Sequence, residues 1–377
     1  VQSLTPAGES NPNGHTQSEI LAALQGLSGI RRLTFRYDRL DEENTYLGPL
    51  SSVVDGHVEQ NWLADIKRKA SFTIRDDGVL NYLSDRIQPW VRLGIPPYGR
   101  NDWVEWPQGV FLLTTPTRTV DSSGRVLRQV DGYDALTVYA DDLVSSRYTL
   151  LAGSVVTDEV ATLLDTAHLT VQASALTLST DREWEPGTSK LKIISDLLDS
   201  INYESLSMDE YGRAVVQAYR SPTDRPAEYT YADDDQGLIV PQVDQTLDLF
   251  SVANHWILTV SNPDQDPLSS TYTNTDPASP TSTVRRGRTI TDFRQELDAA
   301  DQTTLDDKVA RLAFAASQVY EIVTFSTALM PVHSGNDVIA FRYGGLAIND
   351  KYSEHSWSMD LQAGASMSHT IRRVVSV

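Results

Sequence analysis

The segment Val130-Asp131-Gly132-Tyr133-Asp134-Ala135-Leu136 marks the point at which the hydrophobic period of this chain changes. Before it, from Arg31 to Asp131, apolar residues recur at every second position. Leu33, Phe35 and Tyr37 alternate with Arg32, Thr34 and Arg36, and Ala70, Phe72 and Ile74 alternate with Lys69, Ser71, Thr73 and Arg75. Period two is the signature of strands with one buried face. The runs end in turn formers, at Asp76-Asp77-Gly78, Gly94-Ile95-Pro96-Pro97 and Asp121-Ser122-Ser123-Gly124. Short strands at such spacing predict a small β-sandwich or barrel over 31–132.

After the segment the spacing becomes helical. Leu136, Tyr139, Ala140 and Leu143 form one stripe, and Val156, Val160, Leu163, Leu164 and Ala167 form another. Leu191, Ile194, Leu197, Leu198 and Ile201 form a third, with Thr188 or Ser189 placed to cap it. A hairpin, Glu204–Met208 and Arg213–Tyr219 about the turn Asp209-Glu210-Tyr211-Gly212, completes an α+β module over 133–245. Ahead of everything, residues 1–30 read as an irregular arm and a short helix that Thr16 and Glu19 start as a capping box.

The last part, 246–377, opens with a strand at Ala253–Val260. In residues 262–283, 18 of 22 are Asn, Pro, Asp, Ser or Thr, so composition predicts a long, exposed, mobile polar loop there. Leu305, Val309, Leu312, Ala316 and Val319 mark a helix, and strands follow at Ile322–Leu329, Asp337–Tyr343 and Ser366–Val377. The expected fold class is α+β, mainly β, with two small β-barrel domains flanking the α+β module.

The 377 residues, 40% hydrophobic, suffice for several real cores. The absence of Cys excludes disulfides, thiolate metal sites and cysteine nucleophiles. No run approaches the length of a membrane helix, and the first residues lack the basic and apolar regions of a signal peptide, so the expectation is a soluble intracellular product. With 31 Lys+Arg against 51 Asp+Glu the net charge is −20, which excludes a general phosphate-gripping surface.

Catalytic signatures are missing: no G-x-S-x-G, P-loop, H-E-x-x-H or G-x-G-x-x-G occurs, and Gly364-Ala365-Ser366-Met367-Ser368 lacks the second Gly of a serine elbow. The histidines His15, His57, His168, His255, His333, His355 and His369 never stand four apart, so no local zinc site is read, and no convergence of distant ones is expected. Asp38, Glu43, Glu105, Asp209 and Glu210 are candidates for a glycosidase pair, although Asp209 and Glu210 suit a turn. Asp233-Asp234-Asp235 hints at calcium but lacks EF-hand spacing and reads as a solvated turn. Trp90, Trp103 and Trp106 suit strand packing better than a sugar-stacking surface, and Arg285-Arg286-Gly287-Arg288 suits salt bridges between subunits better than nucleic acid. No catalytic, cofactor or metal residue is therefore assigned, and no cofactor is expected.

The order of these pieces resembles the tail-tip or baseplate hub proteins of long-tailed bacteriophages, the tail-associated (Tal-like) hub family. The likeness rests on Trp106-Pro107-Gln108-Gly109-Val110-Phe111-Leu112-Leu113 leading through Asp121–Gly124 into Val130–Leu136, and on Ser189–Tyr203 (SKLKIISDLLDSINY) followed by Asp209–Gly212. It continues in Phe250–Val260 (FSVANHWILTV) with the polar segment and Arg285–Arg288. The helix Asp301–Tyr320, Val323–Ser326 and Ser334–Val338 complete it, so that it spans about residues 31–377.

The resemblance implies a non-enzymatic structural virion protein. Such proteins form homotrimers whose six barrels ring a channel, match a sixfold tail tube to a threefold tip, and let DNA and tape measure leave. Implied partners are distal tail, tail tube, tape measure and tip or receptor-binding proteins, with DNA passing unbound and no membrane span. Implied location is the virion tail tip, after synthesis in the bacterial cytoplasm. A lytic extension of the kind some members carry is not expected after Arg372–Val377. The alternatives are a β-rich carbohydrate-binding protein or glycoside hydrolase using Trp90–Trp106 and Glu105, and the same hub in a phage-derived particle.

Overall fold

The computed structural model describes residues 1–178, 180–234, 237–247, 249–260, 268–296, 302–316 and 318–376. The chain divides into two units, Val1–Gln242 with Phe325–Thr370, and Val243–Thr324 with Ile371–Val377.

The first unit is built on one large sheet. Its order runs Tyr46–Pro49, Arg32–Leu40, Arg86–Gly94, Phe111–Leu113, Val126–Tyr133, Arg68–Arg75, Val53–Asn61 and Ile348–Asp360. Trp103–Pro107 adds to Arg86–Gly94 and Thr117–Val120 to Val126–Tyr133, while Tyr229–Ala232 joins Ile348–Asp360 through Val338–Tyr343. The alternation read from sequence is kept where it was strongest: Ala70, Phe72 and Ile74 are buried, Lys69, Ser71 and Arg75 exposed.

The two closed barrels expected from sequence are not formed, and the fold is corrected to open sheets. No pairing joins the ends of the strand order among the described residues, and Tyr46–Pro49 bonds only to Arg32–Leu40. A barrel requires its edge strands to meet. Here Val53–Asn61 pairs antiparallel with Ile348–Asp360, Gln60 opposite Trp357 and Val58 opposite Met359. Strands from opposite ends of the sequence thus share one sheet, and continuity replaces closure.

The opening segment earns its residues by packing. A Cβ at Gly132 would lie 2.9 Å from Cβ of Phe111, and one at Gly109 (φ +123°) would lie 2.9 Å from the far end of the same ring. Phe111 is fully buried and packs edge-on against Phe72. Asp134, 1% exposed, accepts hydrogen bonds from the backbone N–H of Arg68 (2.9 Å) and of Leu136 (3.0 Å). It thereby ties strand Arg68–Arg75 to the start of helix Leu136–Asp141. Burial pushes its pKa up to about 6, against the pull of these two donors.

Helices Leu136–Asp141, Val156–Leu164 and Lys190–Ser200 close the α+β core, in which Leu136, Val160, Leu163, Ile193, Ile194, Leu197 and Leu198 meet Trp184, Met208 and Val216. The caps read from sequence are present: Thr16 and Glu19 form the full capping box, and Ser189 Oγ accepts from Lys192 N at 3.2 Å.

In the second unit His255–Val260 lies between antiparallel Leu268–Thr273 and parallel Thr291–Glu296. Leu305, Val309 and Ala313 of helix Gln302–Ala316 complete a core with Trp256, Leu258 and Val260. The polar stretch expected as an exposed loop is ordered wherever it is described; 261–267 lie outside the described residues. Leu268–Thr273 is a strand, and Ser270 Oγ donates to Asp306 Oδ1 at 2.6 Å. Asn254, fully buried, donates to the carbonyls of Thr281 and Arg288 (both 3.0 Å) and accepts from Ile290 N at 2.7 Å. Hydrogen bonds from short polar side chains do here what apolar contacts do elsewhere, which a hydrophobicity count does not register.

Candidate functional site

Three strands of the first sheet bring together most of the residues that sequence offered for sugar chemistry. Arg36 stands opposite Trp90, and Arg92 stands opposite both Thr34 and Glu105. Alternation then puts Arg36, Asp38, Trp90, Arg92, Trp103 and Glu105 on one face and Trp106 on the other. Trp106 is 1% exposed, its Nε1 donating to the Ser3 carbonyl at 2.9 Å. The Arg36 guanidinium lies 4.2 Å over Trp90 and that of Arg92 3.8 Å over Trp103. Both rings are therefore covered by cations of the same chain, and the three tryptophans make no shared stacking surface.

The carboxylates are equally committed. Glu105 takes two hydrogen bonds from Arg36 (3.0 and 2.8 Å) and one from Arg92 Nε (3.0 Å), while Asp38 pairs with Arg36. Burial opposes the charge on Arg36, but Glu105 and Asp38 overcome it and raise its pKa. Asp209 is a turn residue, accepting from the N–H groups of Tyr211 and Arg213 at 2.9 Å each and from Arg213 Nε at 2.7 Å. Glu210, at the tip of the same hairpin, is buried and pairs with buried Arg68 and with Ser334. Glu43 lines a cleft of about 280 Å³, beside Arg86 and His168. The five do not converge, so no glycosidase pair is assembled from them.

The remaining motifs also serve the backbone. Arg286 donates to the Val252 carbonyl (2.6 Å) and Arg288 to that of Phe250 (2.7 Å), with its guanidinium over the Phe250 ring. Asp233 Oδ2 accepts from Gly344 N at 2.7 Å; Asp235 and Gln236 of that acidic turn lie outside the described residues. Ser366 begins the strand Ser366–Ser376 rather than a strand-to-helix elbow.

Sequence reasoning missed one cluster. His333 and His369, far apart in the chain, both meet Glu354, and all three are 1% exposed or less. His333 Nδ1 lies 2.8 Å from Glu354 Oε2 and 3.0 Å from Asp337 Oδ2, and His369 Nδ1 lies 2.6 Å from Glu354 Oε1. On their outer sides, His333 Nε2 meets the Tyr231 hydroxyl at 2.7 Å and His369 Nε2 meets Thr327 Oγ1 at 2.9 Å. Burial disfavours charge on His333, yet Glu354 and Asp337 together hold its pKa up at about 9. For His369 burial prevails and the pKa falls below the usual value. These donor atoms could hold a metal ion, since those of His333, Glu354 and His369 all lie within 4.8 Å of one another. No local spacing signals the site; it exists only through the pairing of remote strands.

No family model and no curated relative matches the sequence. Solved structures do. The tail protein from Neisseria meningitidis MC58 superposes with a TM-score of 0.61 at 11% identity, covering 90% of this chain and 96% of that one. The 43 kDa tail protein of prophage MuSo2 from Shewanella oneidensis gives 0.57 at 9% identity, over 90% and 98%. At such identities the likeness speaks for the fold. The resemblance read from the sequence therefore holds at that level: the chain has the fold of phage tail proteins.

Proposed function

We propose that the chain is a structural component of a phage tail, located at the tail tip or baseplate and without enzymatic activity. The observation that carries this reading is the shared fold over nearly the whole of two tail proteins, at both ends of the comparison. The disposition of the candidate catalytic groups supports it, because Asp38, Glu105 and Glu210 are consumed in ion pairs that hold strands and hairpin together.

The finer reading is a trimeric hub that joins a sixfold tube to a threefold tip and encloses the path of DNA and tape measure. Each subunit would bring its open sheet to a ring around the channel. Three copies would triple the −20 charge of the chain, and carboxylates facing the lumen would repel DNA and keep it sliding. Distal tail, tube and tip proteins are the partners this arrangement calls for. Light-scattering mass across a concentration series, with negative-stain imaging, tests it. A threefold ring with a central hole is expected, and a monomer at every concentration would overturn the trimeric hub.

A further inference from the structure

We propose that His333, Glu354 and His369 bind one divalent transition-metal ion of the zinc class, as a buried structural site inside the first unit. Two imidazole nitrogens and a carboxylate form a donor set suited to such an ion. Every donor is buried, and the ligand atoms of His333, Glu354 and His369 already lie within 4.8 Å of one another.

The orientation of the rings points the same way. Both Nδ1 atoms face the Glu354 carboxylate, and both Nε2 atoms face hydroxyls outside the cluster. This is how ligating histidines are usually held, with the outer nitrogen hydrogen-bonded and the inner one facing the ion. His369 Nδ1 lies 2.6 Å from Glu354 Oε1, and its Nε2 lies 2.9 Å from Thr327 Oγ1. A cation seated between ring and carboxylate would take both facing atoms as ligands.

Glu354 Oε2 is buried and lies 2.8 Å from His333 Nδ1, so each carboxylate oxygen faces one imidazole nitrogen. The frame around it is firm: Glu354 and His369 sit on strands Ile348–Asp360 and Ser366–Ser376, Phe325 stacks on His369 with 12° between planes, and Tyr231 stacks on His333 with 24°. An ion here would clamp the segment carrying His333 to two strands. With every donor buried and none facing solvent, the site is structural rather than catalytic.

The test uses the full chain without a histidine tag. Zinc content is measured by elemental analysis as purified and after refolding with Zn²⁺, and the refolded protein is also loaded with Co²⁺. The expected results are one ion per chain, visible Co²⁺ absorption of a tetrahedral nitrogen–oxygen site, and at least about a tenfold loss of bound metal in Glu354→Gln. Should that variant not fold, the Co²⁺ spectrum of the unaltered chain decides. Refolded protein that takes up neither ion, with native circular dichroism, would overturn the proposal and leave a proton alone bridging the cluster. Undiminished metal in folded Glu354→Gln would overturn it as well.

Discussion

Replacing Glu210 by Gln keeps its shape and removes its charge, and the structure says where the cost falls. Glu210 sits at the tip of the hairpin of the α+β module and reaches into the sheet, where its carboxylate pairs with Arg68. The two side chains are 9% and 2% exposed, so water cannot take over the pairing. Arg68 keeps Gln60 as a partner, but its Nη1 already lacks one. Breaking a buried pair by deleting one charge strands the other, at about 3–5 kcal/mol. That is a large share of a typical folding free energy of ~5–15 kcal/mol. Urea unfolding followed by tryptophan fluorescence suits the measurement, because Trp90 packs edge-on against neighbouring Tyr211. Arg68→Met and the double variant complete a cycle, and the double should be more stable than Glu210→Gln alone. A single Glu210→Gln within about 1 kcal/mol of the unaltered chain, or strict additivity, would refute the reasoning.

Three other outcomes follow from the same geometry. Gly132→Ala puts a methyl 2.9 Å from Phe111 Cβ, so overpacking should cost about 1–3 kcal/mol in the same urea assay. Ser189→Ala removes the cap of helix Lys190–Ser200 and should cost about 1 kcal/mol, seen as a lowered thermal midpoint. Asp134 has a folded pKa raised from 3.8 to about 6, so the fold favours its protonated form; its contribution is present below pH 4 and is lost as pH rises through 6. The stability of the unaltered chain minus that of Asp134→Asn should therefore fall by roughly 2 kcal/mol between pH 4 and pH 7, and a flat difference would contradict it.

How much of this was legible in the sequence depended on range. Elements stabilised by their own neighbours could be read directly: the capping box at Thr16 and Glu19, the cap at Ser189, and the alternation of Ala70, Phe72 and Ile74. The strand Ile348–Asp360 was not read, because its inward positions include Glu354 as well as Tyr352, Trp357 and Met359, which breaks the apolar period. Missing it hid both the open sheet and the histidine cluster. Glu210 looked like a turn former because sequence shows the turn and not Arg68 beneath it. Parity alone would have separated Trp106 from Trp103 and Glu105, since neighbours in a strand face opposite sides.

The central claim, a structural role in a phage tail, is tested most directly on particles. Antibody raised against this chain and marked with gold is applied to purified tailed particles and imaged by electron microscopy. Gold confined to the distal end of the tail is the expected result. Particles whose tail ends stay unlabelled, with the chain found only in the unassembled fraction, would contradict the account.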